Sequence, residues 1–221
     1  MPQVPARAPA ARVPADPPPA VAAVPPARPP VVAPPGERRE PVAQAPSFRV
    51  GEEWRWVGGT MFRIVAVDGG LHVTEDREGR RRAFDTTWTL VKATDRAGAP
   101  VADPQVGRRV LDFPLTVGKQ WSWRGAFPAA RGGTPRPYTD RYRVSRYEDV
   151  QVPAGTFGAF VIEHVQEIPA HGGLPAAEAR RTLWYSPEAR VFVKVESPTP
   201  GWGGGALESY SGRVEPSARG R

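Results

Sequence analysis

From Phe48 onward, apolar and polar residues alternate in short runs broken by glycine, proline and acidic residues, the period of half-buried β-strands. Asp68-Gly69-Gly70 separates two such runs, which predicts a hairpin. Val152-Pro153-Ala154-Gly155 places proline at the second turn position and glycine where a positive φ is needed. It predicts a type I turn with a glycine bulge at Gly155, joining a strand near Tyr147–Gln151 to one over Thr156–Ile168. Trp184–Val191 reads as another turn, leading to Val191, Val193 and Val195 on one face, and Ala206–Val214 as a last strand. No helical period runs for a dozen residues; Ala176–Arg181 has room for a single turn.

An internal repeat organises these strands. Phe48-Arg-Val-Gly-Glu-Glu-Trp-Arg-Trp56 returns 67 residues later as Leu115-Thr-Val-Gly-Lys-Gln-Trp-Ser-Trp123. In a strand, residues two apart share a face, so each Trp-x-Trp pair lies on one side. Gly51 and Gly118 mark a bend before each strand. Phe62–Val67 answers Tyr142–Tyr147, and the strand around Trp88 answers the one around Trp184. The expected fold is all-β: a single curved antiparallel sheet, or an open barrel or sandwich, built from two related halves at about 48–96 and 113–197.

Composition sets the boundaries. Residues 1–47 hold 15 prolines and no aromatic residue, whereas all 20 Phe, Trp and Tyr lie beyond them. Without large apolar side chains a segment cannot offset its ordering entropy. The expected organisation is a disordered proline-rich arm over 1–47, a β domain over 48–214 and a disordered tail over 215–221. The arm reads as a polyproline spacer rather than as a ligand for a proline-reading groove.

The sequence pI near 10.3 points at nucleic acid until the charges are divided. Arginine supplies 27 of the 30 basic residues, in a chain rich in Ala, Gly and Pro, as a GC-rich genome encodes. The densest run, Arg80-Arg81-Arg82, sits among Glu75, Asp76, Glu78 and Asp85, which blunt its field. No nucleic-acid partner is expected. The absence of cysteine excludes disulfides and thiolate chemistry. No apolar run reaches membrane-spanning length, and no export signal is visible.

Three elements resemble a group of bacterial envelope β domains called TapB-like: Pro114–Trp121 (P-L-x-V-G-x-x-W), Val152–Phe157 (V-P-A-G-T-F) and Trp184–Lys194 (W/Y-Y-x-P-x-x-G-x-V-K). The match covers roughly 48–197. In the third element Ala189-Arg190 stands where a glycine is usual, so that hairpin is expected to be tightened or reshaped. The resemblance implies a curved antiparallel sheet and a place in the cell envelope or periplasm. It carries no catalytic residues.

Candidate chemistry is sparse. His72, beside the Gly69-Gly70 turn, and His171, in a Gly-rich loop, read as solvated. His164 alternates with Phe160, Ile162 and Ile168 on an apolar face, where a hydrogen-bonded core histidine competes with a ligand-binding one. No paired-histidine spacing suggests zinc, and neither metal nor cofactor is called for. Glu163 and Glu167 would stand about 13 Å apart along a strand, too far for a glycosidase pair, and are expected to meet Arg180 and Arg181. Trp54, Trp121 and Trp184 read as core. Trp56 and Trp123, nearer strand ends, can wall a groove and, with His164, form the candidate ligand-binding set. The function read from the sequence is a non-enzymatic envelope module that binds or supports a protein partner, an apolar ligand or a glycan. A glycan-active enzyme is the alternative.

Overall fold

The computed structural model describes residues 41–129, 134–198 and 204–211. The arm up to residue 40, Gly201–Gly203 of the glycine-rich loop, the strand end beyond 211 and the tail at 215–221 lie outside the described residues. Every regular element among those described is a strand. They are β1 (Glu53–Trp56), β2 (Met61–Asp68), β3 (Leu71–Asp76), β4 (Arg81–Phe84), β5 (Leu90–Thr94), β6 (Gln120–Phe127), β7 (Arg136–Val152), β8 (Gly155–Ile168), β9 (Ala177–Ser186), β10 (Val191–Glu196) and β11 (Gly205–Ser211). All pair antiparallel in one open sheet, in the order β5-β4-β3-β2-β1-β11-β10-β9-β8-β7-β6. Each half is therefore a five-stranded meander, and β11 joins β1 to β10.

The repeat extends to individual hydrogen bonds. The Gly51 N–H donates to Ile64 O at 2.8 Å and the Gly118 N–H to Val144 O at 2.8 Å. In return the Ile64 N–H reaches Glu52 O at 2.8 Å, and the Val144 N–H reaches Lys119 O at 2.9 Å. Both glycines are left-handed, with φ of 94° and 88°, a conformation in which a Cβ would be strained. Trp54 pairs with Phe62 as Trp121 pairs with Tyr142. One residue is bulged out at the same place in each second strand, between Ile64 and Ala66 and between Val144 and Arg146. The last strand pair of each half is bulged as well, leaving out Val91 and Val193. In this register Tyr185 answers Phe84, so Trp184 corresponds to Ala83. Trp88 is not its counterpart: Trp88 lies in the β4–β5 turn and corresponds to Arg190.

The turns follow their residues. Gly69-Gly70 closes the β2–β3 hairpin, with Asp68 paired to Leu71. Pro153-Ala154 closes β7–β8, with Gly155 at φ 133°. In the β9–β10 turn Arg190 adopts φ 62°, a left-handed conformation in which glycine is at ease and a long side chain is uncommon. Ala177–Ser186 is strand throughout, which removes the helical turn expected near Ala176–Arg181. Its residues continue the β8 ladder from Ile168↔Ala177 to Phe160↔Tyr185, and that pairing overrides their local preference.

The middle of β8 and the end of β9 are apolar on both faces because both are covered there, whereas β7 alternates buried with exposed residues. One face contributes Phe157, Ala159, Val161 and Trp184 to a core with Phe48, Trp54 and Ile64. The other packs Val144, Phe160, Ile162 and Tyr185 against Leu111 and Leu115 from the connection between the halves. The sheet is strongly curled. Five strand steps separate β4 from β10, about 24 Å in a flat sheet, yet the Trp88 indole N–H donates to Arg190 O at 3.3 Å. Trp54 and Trp56 donate likewise to Ala189 O at 2.8 Å and Phe192 O at 3.0 Å. Three indoles thus fasten the first half to one hairpin of the second.

Ordered contacts also begin before Phe48. Ala43 is buried and exchanges two backbone hydrogen bonds with Leu115, at 3.0 and 2.8 Å. Ser47 O accepts from Arg190 Nη1 at 2.8 Å. Composition draws the edge of the domain at residue 48 because it counts aromatic side chains, whereas these contacts are made by backbone.

Candidate functional site

The curl creates a groove on the inner face of the first half. Alternation and register bring Trp56 of β1, Phe62 of β2 and Phe84 of β4 to the same side. Trp88 joins them from the β4–β5 turn. There the Asp85 carboxylate accepts from the N–H groups of Thr87 at 2.8 Å and Thr89 at 2.9 Å, winding the chain so tightly that Trp88 takes φ 56°. Phe62 and Phe84 contact the Trp88 ring with centroids 5.7 and 5.3 Å apart. The opposite wall comes from the second half: Tyr185, Val191, Phe192 and Val195, with Val110 from the connection. Between the walls lies a cavity of about 390 Å³, within the range of small-molecule pockets. Its lining contains no acidic, basic or histidine side chain. Burial pushes the Tyr185 phenol pKa up, so it stays protonated. The groove is built for apolar contact.

A second cavity of about 400 Å³ adjoins it, sharing Thr60, Phe62, Phe84 and Trp88. Its far end, at the β3–β4 turn, is charged. Asp76 meets Arg80 at 2.7 Å and Arg82 at 3.8 Å, Glu78 meets Arg80 at 3.1 Å, and Arg82 meets Asp103 at 3.1 Å. Arg77 projects from the same turn.

The three residues singled out from the sequence do not converge. Trp56 lines the apolar cavity. Trp123 holds the matching position in the second half, but its surroundings differ. In the first half the chain turns back immediately after Trp56, where the Trp56 N–H donates to Thr60 O at 2.8 Å, and the space beyond the ring stays open. In the second half β6 and β7 run on to Phe127↔Arg136. The Trp123 ring there lies over Gly125, where an added Cβ would come within 2.0 Å of it.

His164 is 2% exposed, in the second half. It stacks on Tyr142, which stacks on Trp121, a ladder across three neighbouring strands. Its Nε2 lies 2.8 Å from Asp140 Oδ1, which also accepts from Gln166 at 2.9 Å. Arg108, from the connection, closes over the group and pairs with Asp140 at 2.8 Å, with side-chain exposures of only 8% and 0%. Burial lowers the His164 pKa, outweighing the bond to Asp140. Burial alone would raise that of Asp140, but His164, Arg108 and Gln166 hold it below the usual carboxylate range. The group is a sealed polar brace between the connection and the sheet, and offers no opening for a substrate.

Two further expectations are corrected. His72 is 2% exposed, boxed by Phe48, Phe84 and Trp88 at 4.2, 5.7 and 4.7 Å, because these three rings close over its part of the sheet's inner face. Glu167 pairs with Arg141 at 3.1 Å while Arg180 pairs with Glu178 at 2.7 Å, since the register sets Arg180 beside Val165. The residues that complete the groove with Trp56 are Phe84, Trp88, Tyr185 and Phe192. The internal repeat does not single them out, since its sequence alignment sets Trp88 against Trp184, whereas the strand register pairs Phe84 with Leu90 as it pairs Tyr185 with Phe192.

Among the described residues no cluster of three or more His, Asp and Glu side chains is arranged to hold a metal, and no helix is long and apolar enough to cross a membrane. No family model matches the chain, and no curated protein matches it. Three solved structures share part of its course. One is a protein from Parabacteroides distasonis ATCC 8503 with a provisional lipoprotein assignment, at 11% identity and a TM-score of 0.42, covering 78% of this chain and 100% of its own. Another is the hypothetical lipoprotein YmcC from Escherichia coli K12, at 8% and 0.43, covering 77% and 86%. The third is a protein with YmcC-like fold from Bacteroides fragilis NCTC 9343, at 11% and 0.39, covering 77% and 100%.

Proposed function

We propose that this protein is a non-enzymatic module of the bacterial cell envelope that holds an apolar ligand in the groove between its halves, with Trp56 and Trp88 as the contacting aromatics. The observation that carries the reading is the groove's lining: aromatic and aliphatic walls drawn from both halves, free of titratable acid or base apart from the buried Tyr185 phenol. Glycoside cleavage requires two carboxyl groups about 5–10 Å apart facing the substrate, and this lining supplies neither. The envelope assignment rests on the TapB-like elements of the sequence.

The test is native mass spectrometry of the protein purified without organic solvent, followed by extraction and titration of the emptied protein with n-decanol. The reading expects an extractable apolar adduct and saturable decanol binding with a negative heat-capacity change, the mark of apolar burial. An unliganded mass together with no decanol binding would overturn it.

A further inference from the structure

Resting on that reading, we propose that the ligand is a single-chain amphiphile with an anionic head, and that Arg77 reads the head. The apolar cavity adjoins the charged one, the two sharing Thr60, Phe62, Phe84 and Trp88 in their linings, so a molecule whose tail lies against Trp56 and Phe192 and that extends past these residues brings its other end to the β3–β4 turn. Charge at that turn is almost balanced internally. Arg80 and Arg82 are taken up by Asp76, Glu78 and Asp103. Arg77 is different: it lines the charged cavity, is exposed, and makes no hydrogen bond or ion pair to any described residue. A cationic head would be repelled there and a neutral one would leave the guanidinium unused. A carboxylate or phosphate completes the set with two parallel hydrogen bonds to a guanidinium fork. A polar glycan fits less well, because the neighbouring cavity offers it few hydrogen-bonding partners.

Titration calorimetry at neutral pH with n-octanoate, n-decanoate, the alcohols of the same lengths and n-decylammonium tests this, on the full chain and on Arg77→Gln. Each added methylene should tighten binding about fourfold until the cavity is filled. The carboxylate should bind about threefold to fivefold tighter than the alcohol of equal length, the scale of one exposed charge pair. In Arg77→Gln that preference should vanish while alcohol affinity stays unchanged, and in the unaltered protein it should shrink at high salt. Equal binding of acid and alcohol, tighter binding of the ammonium, or a preference that survives Arg77→Gln would overturn the headgroup assignment and leave the apolar site standing. Failure of every alkyl probe to bind would instead sink the apolar site itself, and the headgroup assignment with it.

Discussion

Trp88 and Arg190 occupy the same place in two copies of one hairpin, and the indole N–H of the first donates to the carbonyl of the second at 3.3 Å. Both are left-handed, at φ 56° and 62°, where bulky residues are uncommon and glycine is at ease. Each gives up backbone comfort for a side chain the turn needs. Trp88 floors the groove. Arg190 pairs with Glu52 at 2.9 Å and bonds Ser47 O, tying the start of the first half to the second.

Arg190 therefore carries two opposed contributions that mutation separates. Arg190→Ala loses the tether and keeps the strained φ; Arg190→Gly loses the tether and relieves the strain. Denaturant unfolding should place the glycine variant about 1 kcal/mol above the alanine variant. Equal stabilities would mean that the left-handed turn is not strained.

The matching tryptophans of the repeat should not be equally important. Trp54 is completely buried on a central strand, with its indole bonded to Ala189 O. Trp121 lies on the edge strand β6, half-buried and stacked on Tyr142. Trp54→Ala should cost about 3–5 kcal/mol, and Trp121→Ala less than half of that. The measurement is the difference in urea midpoint at constant slope.

Acid should weaken the fold through His72. Burial among aromatic rings pushes its pKa down to about 4 from 6.5, with Asp85 pulling weakly upward. Because the folded pKa lies below the unfolded one, the neutral ring is compatible with the fold above pH 6.5. Stability is lost as the pH falls from there towards 4, by about 3 kcal/mol. His72→Phe should flatten much of that slope. His164, whose pKa is also lowered, leaves a residue of it.

The start of the domain can be located by truncation. Removing residues 1–40 should leave the melting temperature unchanged. Removing 1–47 also deletes the two Ala43–Leu115 bonds and the Ser47–Arg190 bond, and should cost about 2–4 kcal/mol. Identical melting curves would show that Pro41–Ser47 contributes nothing.

What the sequence made legible was local or repeated. The hairpins at Gly69-Gly70 and Pro153-Ala154 follow from turn chemistry acting over four residues. The equivalence of Phe48–Trp56 and Leu115–Trp123 is visible because the glycine bend and the Trp-x-Trp face survive in both copies. The position of β11 between β1 and β10 is different, since its pairings join Trp54 to Tyr210 and Lys194 to Ala206 across the chain and leave no mark in either strand's pattern. The same holds for the site. Trp56 stands out by its repeat, whereas Tyr185 and Phe192 reach the groove only because the sheet curls. Arg108 gives no sign in an irregular connection that it will close over Asp140.

The central claim is that the space between the halves is a binding cavity, and plugging it is the most direct test. Thr60, exposed and shared by both cavities, and Val110, on the opposite wall, can each be replaced by tryptophan without touching the core. Calorimetric titration with n-decanol should then show binding to the unaltered protein and at least about tenfold weaker binding to both Thr60→Trp and Val110→Trp, with melting temperatures unchanged, the loss that filling an apolar pocket implies. Undiminished decanol affinity in the two plugged variants would contradict the account, because the ligand would then sit elsewhere on the protein.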